Sequence, residues 1–160
     1  MCERVVVVCK RATALPPLPG VDRWNEPDSP RHPLTGIVHA LERARGSVLV
    51  CAADMPFVTA DACRTLVDAA VAVGLLGGER TSGNLAPGAV AESPSGLEPL
   101  LAVYGRPALG RLRAASSGAP LRTAVEALDP VRVPLPGSVV RSVNTPEDLA
   151  AAEAQLAPAR

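Results

Sequence analysis

Two short, unbroken apolar runs set the frame for this chain: V-V-V-V-C at 5–9 and S-V-L-V-C-A at 47–52. Both are rich in β-branched residues, too short for a helix, and lack the alternating polar positions of a half-wet strand. Runs of this kind read as strands covered on both faces, as in a parallel sheet packed between helices. The segments between and after them supply those helices. Ile37, Ala40, Leu41 and Ala44 recur at helical spacing over 36–45, and Gly46 ends the run. Cys63, Leu66, Val67 and Ala70 define a second helix from residue 59 or 60, with Asp61 in its first turn, where the dipole favours an acid.

Farther on, strands are expected at 100–104, 131–133 and 139–140, with a short one near Val21, and helices at 106–116 and 121–128. Thr145, Pro146, Glu147 and Asp148 open the last helix. Thr145 is a natural N-cap, Pro146 suits the first helical position, and Asp148 can close a capping box. Leu149, Ala152, Glu153 and Leu156 follow at helical spacing. Residues 74–96 carry three glycine-containing turns and no secure element. The residues therefore predict one α/β domain over 1–160, with a mostly parallel sheet between helical layers.

Composition removes several classes of function. Lys plus Arg and Asp plus Glu both number 16, so the formal net charge is zero and no basic field points to nucleic acid. The aromatics are Trp24, Phe57 and Tyr104 alone, too few for a base-stacking platform. Cys2, Cys9, Cys51 and Cys63 form no C-x-x-C pair and read as reduced thiols, with Cys9 and Cys51 acting as small hydrophobes in their strands. The start M-C-E-R has no signal-peptide pattern, and no apolar stretch approaches the roughly 20 residues of a membrane span. A cytoplasmic protein without a membrane partner is expected.

Asp54 is the strongest candidate for chemistry. It follows a buried strand directly and precedes the turn at Pro56, and ligands of open α/β sheets bind beyond the carboxyl ends of strands. A carboxylate there can hold Mg²⁺ against phosphate oxygens. The stretch H-P-L-T-G at 32–36 comes second. Thr35 is placed to cap the helix starting near Gly36, and Gly36 permits close approach of a base or sugar. His32 and His39 have no ligand partners at metal spacing. Asn144 and Arg141 precede the last helix, where cap chemistry is the plainer reading of Asn144.

Three separated segments together resemble the molybdenum cofactor guanylyltransferase family: H-P-L-T-G-I-V-H-A-L at 32–41, V-L-V-C-A-A-D-M-P-F-V at 48–58 and V-N-T-P-E-D-L at 143–149. E-P-L-L-A-V-Y at 98–104 adds to this. The resemblance implies a Rossmann-like, three-layer α/β/α nucleotidyltransferase domain. It would bind GTP and Mg²⁺ and transfer GMP to molybdopterin with release of pyrophosphate. Asp54 matches the family's metal-binding aspartate, and Gly36 lies in the segment beside guanine and ribose. Asp28, or less well Asp22, matches an acid just upstream, and Asn144 matches an asparagine on the cofactor side. His32 stands where the family has glycine, and Ser142 where it often has a second asparagine. Cytidylyl transfer, or another small phosphate acceptor, is the nearest alternative. Molybdoenzymes or cofactor-biosynthesis proteins are the implied partners.

The family opens with a strand and a glycine-rich loop, L-A-G-G-x-S-x-R-M-G, that cradles the triphosphate. Residues 1–20 contain no match to it. Within the family's sheet order the unmatched strand is the central one, between 5–9 and 48–52. Either the first βα unit lies upstream in a longer protein, or the chain is an inactive or partner-dependent homologue. The two flanking strands then need new backbone partners, and direct pairing with each other is one solution.

Overall fold

The amphipathic and β-branched segments fold into six strands and five helices in a computed structural model that describes residues 2–76, 86–115 and 118–157. They run β1 (Val6–Cys9), β2 (Asp22–Asn25), α1 (Pro33–Ala44), β3 (Val48–Cys51), α2 (Ala60–Ala72) and β4 (Gly88–Ser93). Then follow β5 (Gly96–Tyr104), α3 (Arg106–Ala114), α4 (Leu121–Glu126), β6 (Val131–Pro134) and α5 (Pro146–Leu156). The strands form two separate ladders. β1 pairs with β2 in parallel, and β3-β5-β4-β6 form a mixed sheet in that order. In it, β5 runs antiparallel to both β3 and β4, and β4 runs parallel to β6.

The two-residue period of the strands sorts their side chains into two cores. Val90, Ala102 and Tyr104 point to the layer of α1, α3 and α4, where they meet Leu34, Ile37, Leu41, Leu112 and Val125. Ala89, Ala91, Leu101 and Val103 point the other way, onto Leu66 and Ala70 of α2. This is a three-layer α/β/α arrangement. Tyr104 is fully buried, and its hydroxyl donates to the Pro99 carbonyl at 2.8 Å, so the one polar atom it takes inside is satisfied.

Helix α1 belongs to both ladders. Leu34, Ile37 and Leu41 pack with Val48 and Val50 of β3, and Glu42 pairs with Arg113 of α3 at 2.7 Å. Its other side rests on β1 and β2. A Cβ placed on Gly36 would stand 3.8 Å from Val8 Cγ1, and the Arg43 guanidinium lies 4.9 Å from the centre of the Trp24 ring.

Several expectations need correction. The strand at 5–9 is not covered on both faces: Val5 is 61% exposed, and within β1 only Cys9 is fully buried. Cys51, expected inside, is exposed at the end of β3. Both follow from open strand edges, since β1 and β3 do not pair with each other. Residues 139–140 form a turn, although Val140 still joins the α2-side core. Helix α1 begins at Pro33, three residues earlier than expected, and His32 is its cap: the Leu34 N–H donates to His32 Nδ1 at 3.2 Å. The Thr35 hydroxyl instead donates to the Pro30 carbonyl at 3.2 Å. The expected capping box at Thr145 and Asp148 is present. In the unassigned stretch 74–96, β4 occupies the last residues, while 77–85 lie outside the described residues.

Candidate active site

Asp54 sits in the turn between β3 and α2, beyond the carboxyl end of β3. The local sequence D-M-P-F sets its orientation by alternation. Met55 and Phe57 are buried and anchor the turn, while Asp54 and Pro56 face solvent. Two turn bonds hold the backbone: Met55 N–H to the Ala52 carbonyl and Val58 N–H to the Met55 carbonyl, each at 3.3 Å. Thr59 then starts α2 by accepting from the Ala62 N–H at 3.2 Å.

The segment before α5 is fastened to this turn from the other side. Val143 N–H donates to the Asp54 carbonyl at 2.8 Å. The Arg141 guanidinium covers the Phe57 ring at 4.0 Å and donates to Gln155 of α5 at 2.7 Å. Asn144, next to Val143, is thereby brought alongside Asp54, although they are 90 positions apart in sequence. The Asn144 N–H donates to Asp148 Oδ2 at 3.1 Å, as does the Thr145 N–H.

An open groove of about 430 Å³ runs between turn and helix, lined by Asp54, Val143, Leu149, Ala152, Glu153 and Leu156 among others. Leu149 and Leu156 are 50% and 54% exposed there. Although the residue is exposed overall, partial burial of its thiol first, then the Cys63 thiol and the Asp54 carboxylate, push the Cys51 thiol upward. Cys51 is therefore a neutral neighbour of Asp54 at pH 7. Among the described residues no group of three His, Cys, Asp or Glu side chains is placed to hold a metal ion. Asp54 and Glu153 do offer hard oxygen donors. They fit Mg²⁺ only in its usual manner, with one or two carboxylates and the remaining positions filled by substrate phosphates and water.

Gly36 and Asp28 lie apart from this groove, around the carboxyl end of β2. Asp28 is exposed in the loop that leads to α1. Asp22 is at the opposite, amino end of β2 and is engaged by Arg4. The acid nearest Gly36 is Glu26, which the sequence reading did not single out. A Cβ on Gly36 would stand only 3.1 Å from Glu26 Oε2. That oxygen is buried and has no hydrogen-bond partner among the described residues, while Oε1 lies 3.3 Å from Lys10 Nζ. Lys10 also donates to the Pro30 carbonyl at 3.2 Å, tying the proline-rich loop to the end of β1. The signal for both residues was available: Lys10 and Glu26 each follow directly on a strand, as Asp54 nearly does.

Residues 1–131 match the family described as the MobA-like NTP transferase domain. The chain belongs to this family. Solved structures agree with the family's fold. Molybdopterin-guanine dinucleotide biosynthesis protein A from Archaeoglobus fulgidus superposes with a TM-score of 0.62 at 24% identity, over 84% of this chain and 67% of that one. A protein from Aquifex aeolicus gives 0.60 at 15% identity, over 78% and 63%. The 4-diphosphocytidyl-2C-methyl-D-erythritol synthase gives 0.66 at 16% identity, over 97% and 82%. The chain thus spans about two thirds of the first two. No curated protein matches the chain by sequence.

Proposed function

We propose that this family member takes part in transfer of a nucleotidyl group from a nucleoside triphosphate to the phosphate of a small acceptor. GTP is the favoured donor and molybdopterin the favoured acceptor. One observation carries the reading: the 2.8 Å bond from Val143 N–H to the Asp54 carbonyl, which joins the two motif segments at the carboxyl end of β3. In this arrangement Asp54 holds the charged end of the donor. Gly36 and Glu26 flank the nucleoside, with Asp28 at the loop above them, and Asn144 faces the acceptor. An acceptor phosphate oxygen forms the new bond to the α-phosphorus, and pyrophosphate leaves with the bridging oxygen. Asp54 would be the residue that holds Mg²⁺, which when bound would offset the negative charge of the phosphates.

Calorimetric titration with GTP and CTP, with and without magnesium, tests this. The expected result is magnesium-dependent binding, tighter for GTP, and weakened at least tenfold by Asp54→Ala. Binding of neither nucleotide, or binding indifferent to both magnesium and Asp54, overturns the assignment. Pyrophosphate release on adding molybdopterin then tests the acceptor, and little turnover is expected from these 160 residues alone. The second reading, a homologue that acts only with a partner, is favoured by the separation of the β1–β2 ladder from the main sheet.

A further inference from the structure

We propose that Lys10 is a positioning residue for nucleotide recognition: it holds the Glu26 carboxylate by one oxygen, so that the other is reserved for a single hydrogen-bond donor on the nucleoside. The inference rests on the nucleotidyl-transfer reading, which makes the ligand a nucleotide.

Strand register brings the two charges together. β1 and β2 run parallel with Cys9 opposite Asn25, and the Glu26 N–H continues the ladder onto the Cys9 carbonyl at 3.0 Å. Lys10 and Glu26 are therefore the next pair, one residue past each strand. An ammonium has three donors, and three oxygens surround this one. The carbonyls of Pro27 and Pro30 accept from Lys10 Nζ, the latter at 3.2 Å, and Glu26 Oε1 lies 3.3 Å away. Lys10 thus fixes both the start of the proline-rich loop and the carboxylate beside it. The two side chains are 21% and 13% exposed, so the pair is mostly out of water, where losing one partner is costly.

Glu26 Oε2 is the atom left over. It is buried and has no hydrogen-bond partner among the described residues. A Cβ on Gly36 would stand 3.1 Å from it, a position that glycine does not fill, and Val8 Cγ1, close to that same position, is apolar. A buried acceptor without a donor is unfavourable, and a ligand that brings a donor relieves it. Residues 27–31, on the loop side of the carboxylate, are all exposed, which gives a ligand its approach.

The pairing also sets the number of donors. A carboxylate with both oxygens free takes two adjacent donors, such as the ring N–H and the amino group of guanine. With Oε1 held by Lys10, one acceptor remains. It takes one N–H or O–H: the amino group of the base, or the hydroxyl that distinguishes ribose from deoxyribose.

Calorimetric titration with GTP, inosine triphosphate and deoxyguanosine triphosphate, in magnesium, tests this. The inosine analogue lacks the amino group and the deoxy analogue lacks the hydroxyl. One of the two is expected to bind the unaltered chain more weakly than GTP by about tenfold or more, as when a donor is withheld from a site built to receive it, and that analogue names the donor. Lys10→Met is expected to weaken GTP about fivefold and to bring the ratio of GTP to that analogue below about threefold, because the carboxylate is no longer held. Lys10→Arg keeps the charge and is expected to restore most of the ratio. A lysine with a merely structural role would weaken GTP and the analogue alike and leave the ratio unchanged. The emission of Trp24, the one tryptophan, reports folding. Should Lys10→Met unfold, Glu26→Gln gives the same reading, since it leaves both carbonyl contacts of Lys10 in place, and it is expected to lower the ratio as well. The inference is overturned if both analogues bind as tightly as GTP, or if the ratio survives the substitution. Those outcomes leave the nucleotidyl-transfer reading standing. If the unaltered chain binds no nucleotide, that reading falls and the inference falls with it.

Discussion

The backbone carbonyl of Asp54 accepts from the N–H of Val143 at 2.8 Å, and this bond ties the exposed carboxylate turn to the segment that carries Asn144. The bond uses main-chain groups, so side-chain changes at Asp54 leave it intact. Val143→Pro removes the donor and leaves the Asp54 carbonyl short of a partner. The expected loss of stability is about 1–3 kcal/mol, read from denaturant unfolding, with Asp54→Ala nearly neutral in the same assay.

Arg141 and Phe57 form the second fastening. Arg141→Ala is expected to cost about 0.5–1 kcal/mol, the scale of a partly exposed cation–π contact. In a double-mutant cycle with Phe57→Leu the two losses should not add. Additive losses would show that the stacking contributes nothing.

Gly36→Ala separates stability from binding. Alanine is the better helix former by about 1 kcal/mol, but its Cβ would crowd Glu26 Oε2 at 3.1 Å. These effects oppose each other, so thermal stability should change little while GTP affinity falls severalfold as Glu26 is displaced. Glu26→Gln should narrow the preference for GTP over CTP if Glu26 contacts the base. An unchanged GTP to CTP ratio would remove Glu26 from base recognition.

Acid titration should reveal the capping box. N–H donation from Asn144 first, then the Thr145 hydroxyl and N–H, holds the Asp148 carboxyl below its ordinary value. A carboxyl with a depressed folded pKa binds fewer protons when folded than when unfolded. Its contribution is therefore complete above the ordinary aspartate pKa and is lost as pH falls through the lowered one. Asp148→Asn should remove that part of the acid dependence. Thr145→Ala should cost about 1 kcal/mol at neutral pH, as loss of an N-cap does.

Much of the local order was legible because it depends on neighbours in sequence. The capping box at Thr145, the stripe of Leu66 and Ala70 on α2, and the position of Asp54 after a strand all follow from spacing. Misreadings occurred where a local rule had competitors. Thr35 is an ordinary cap type, but the loop from Asp28 to His32 lets His32 cap first and sends the Thr35 hydroxyl back to Pro30. Leu149 and Leu156 have helical spacing, yet α5 buries only Ala152, because its apolar flank borders an open groove.

The sequence by itself determined most of the helices and strands, though not β4 at 88–93, the place of Asp54 after a strand and the family of the chain, since these rest on periodicity and short motifs. Tertiary structure alone decided how the segments pair. β3 turns antiparallel to β5, β1 pairs with β2 alone among the described strands, and Glu26 rather than a nearer-looking aspartate comes to lie against Gly36. The physical reason is that a strand's partner is chosen by edges distant in sequence. An apolar run carries the same pattern whether both of its edges are paired or one of them is left open.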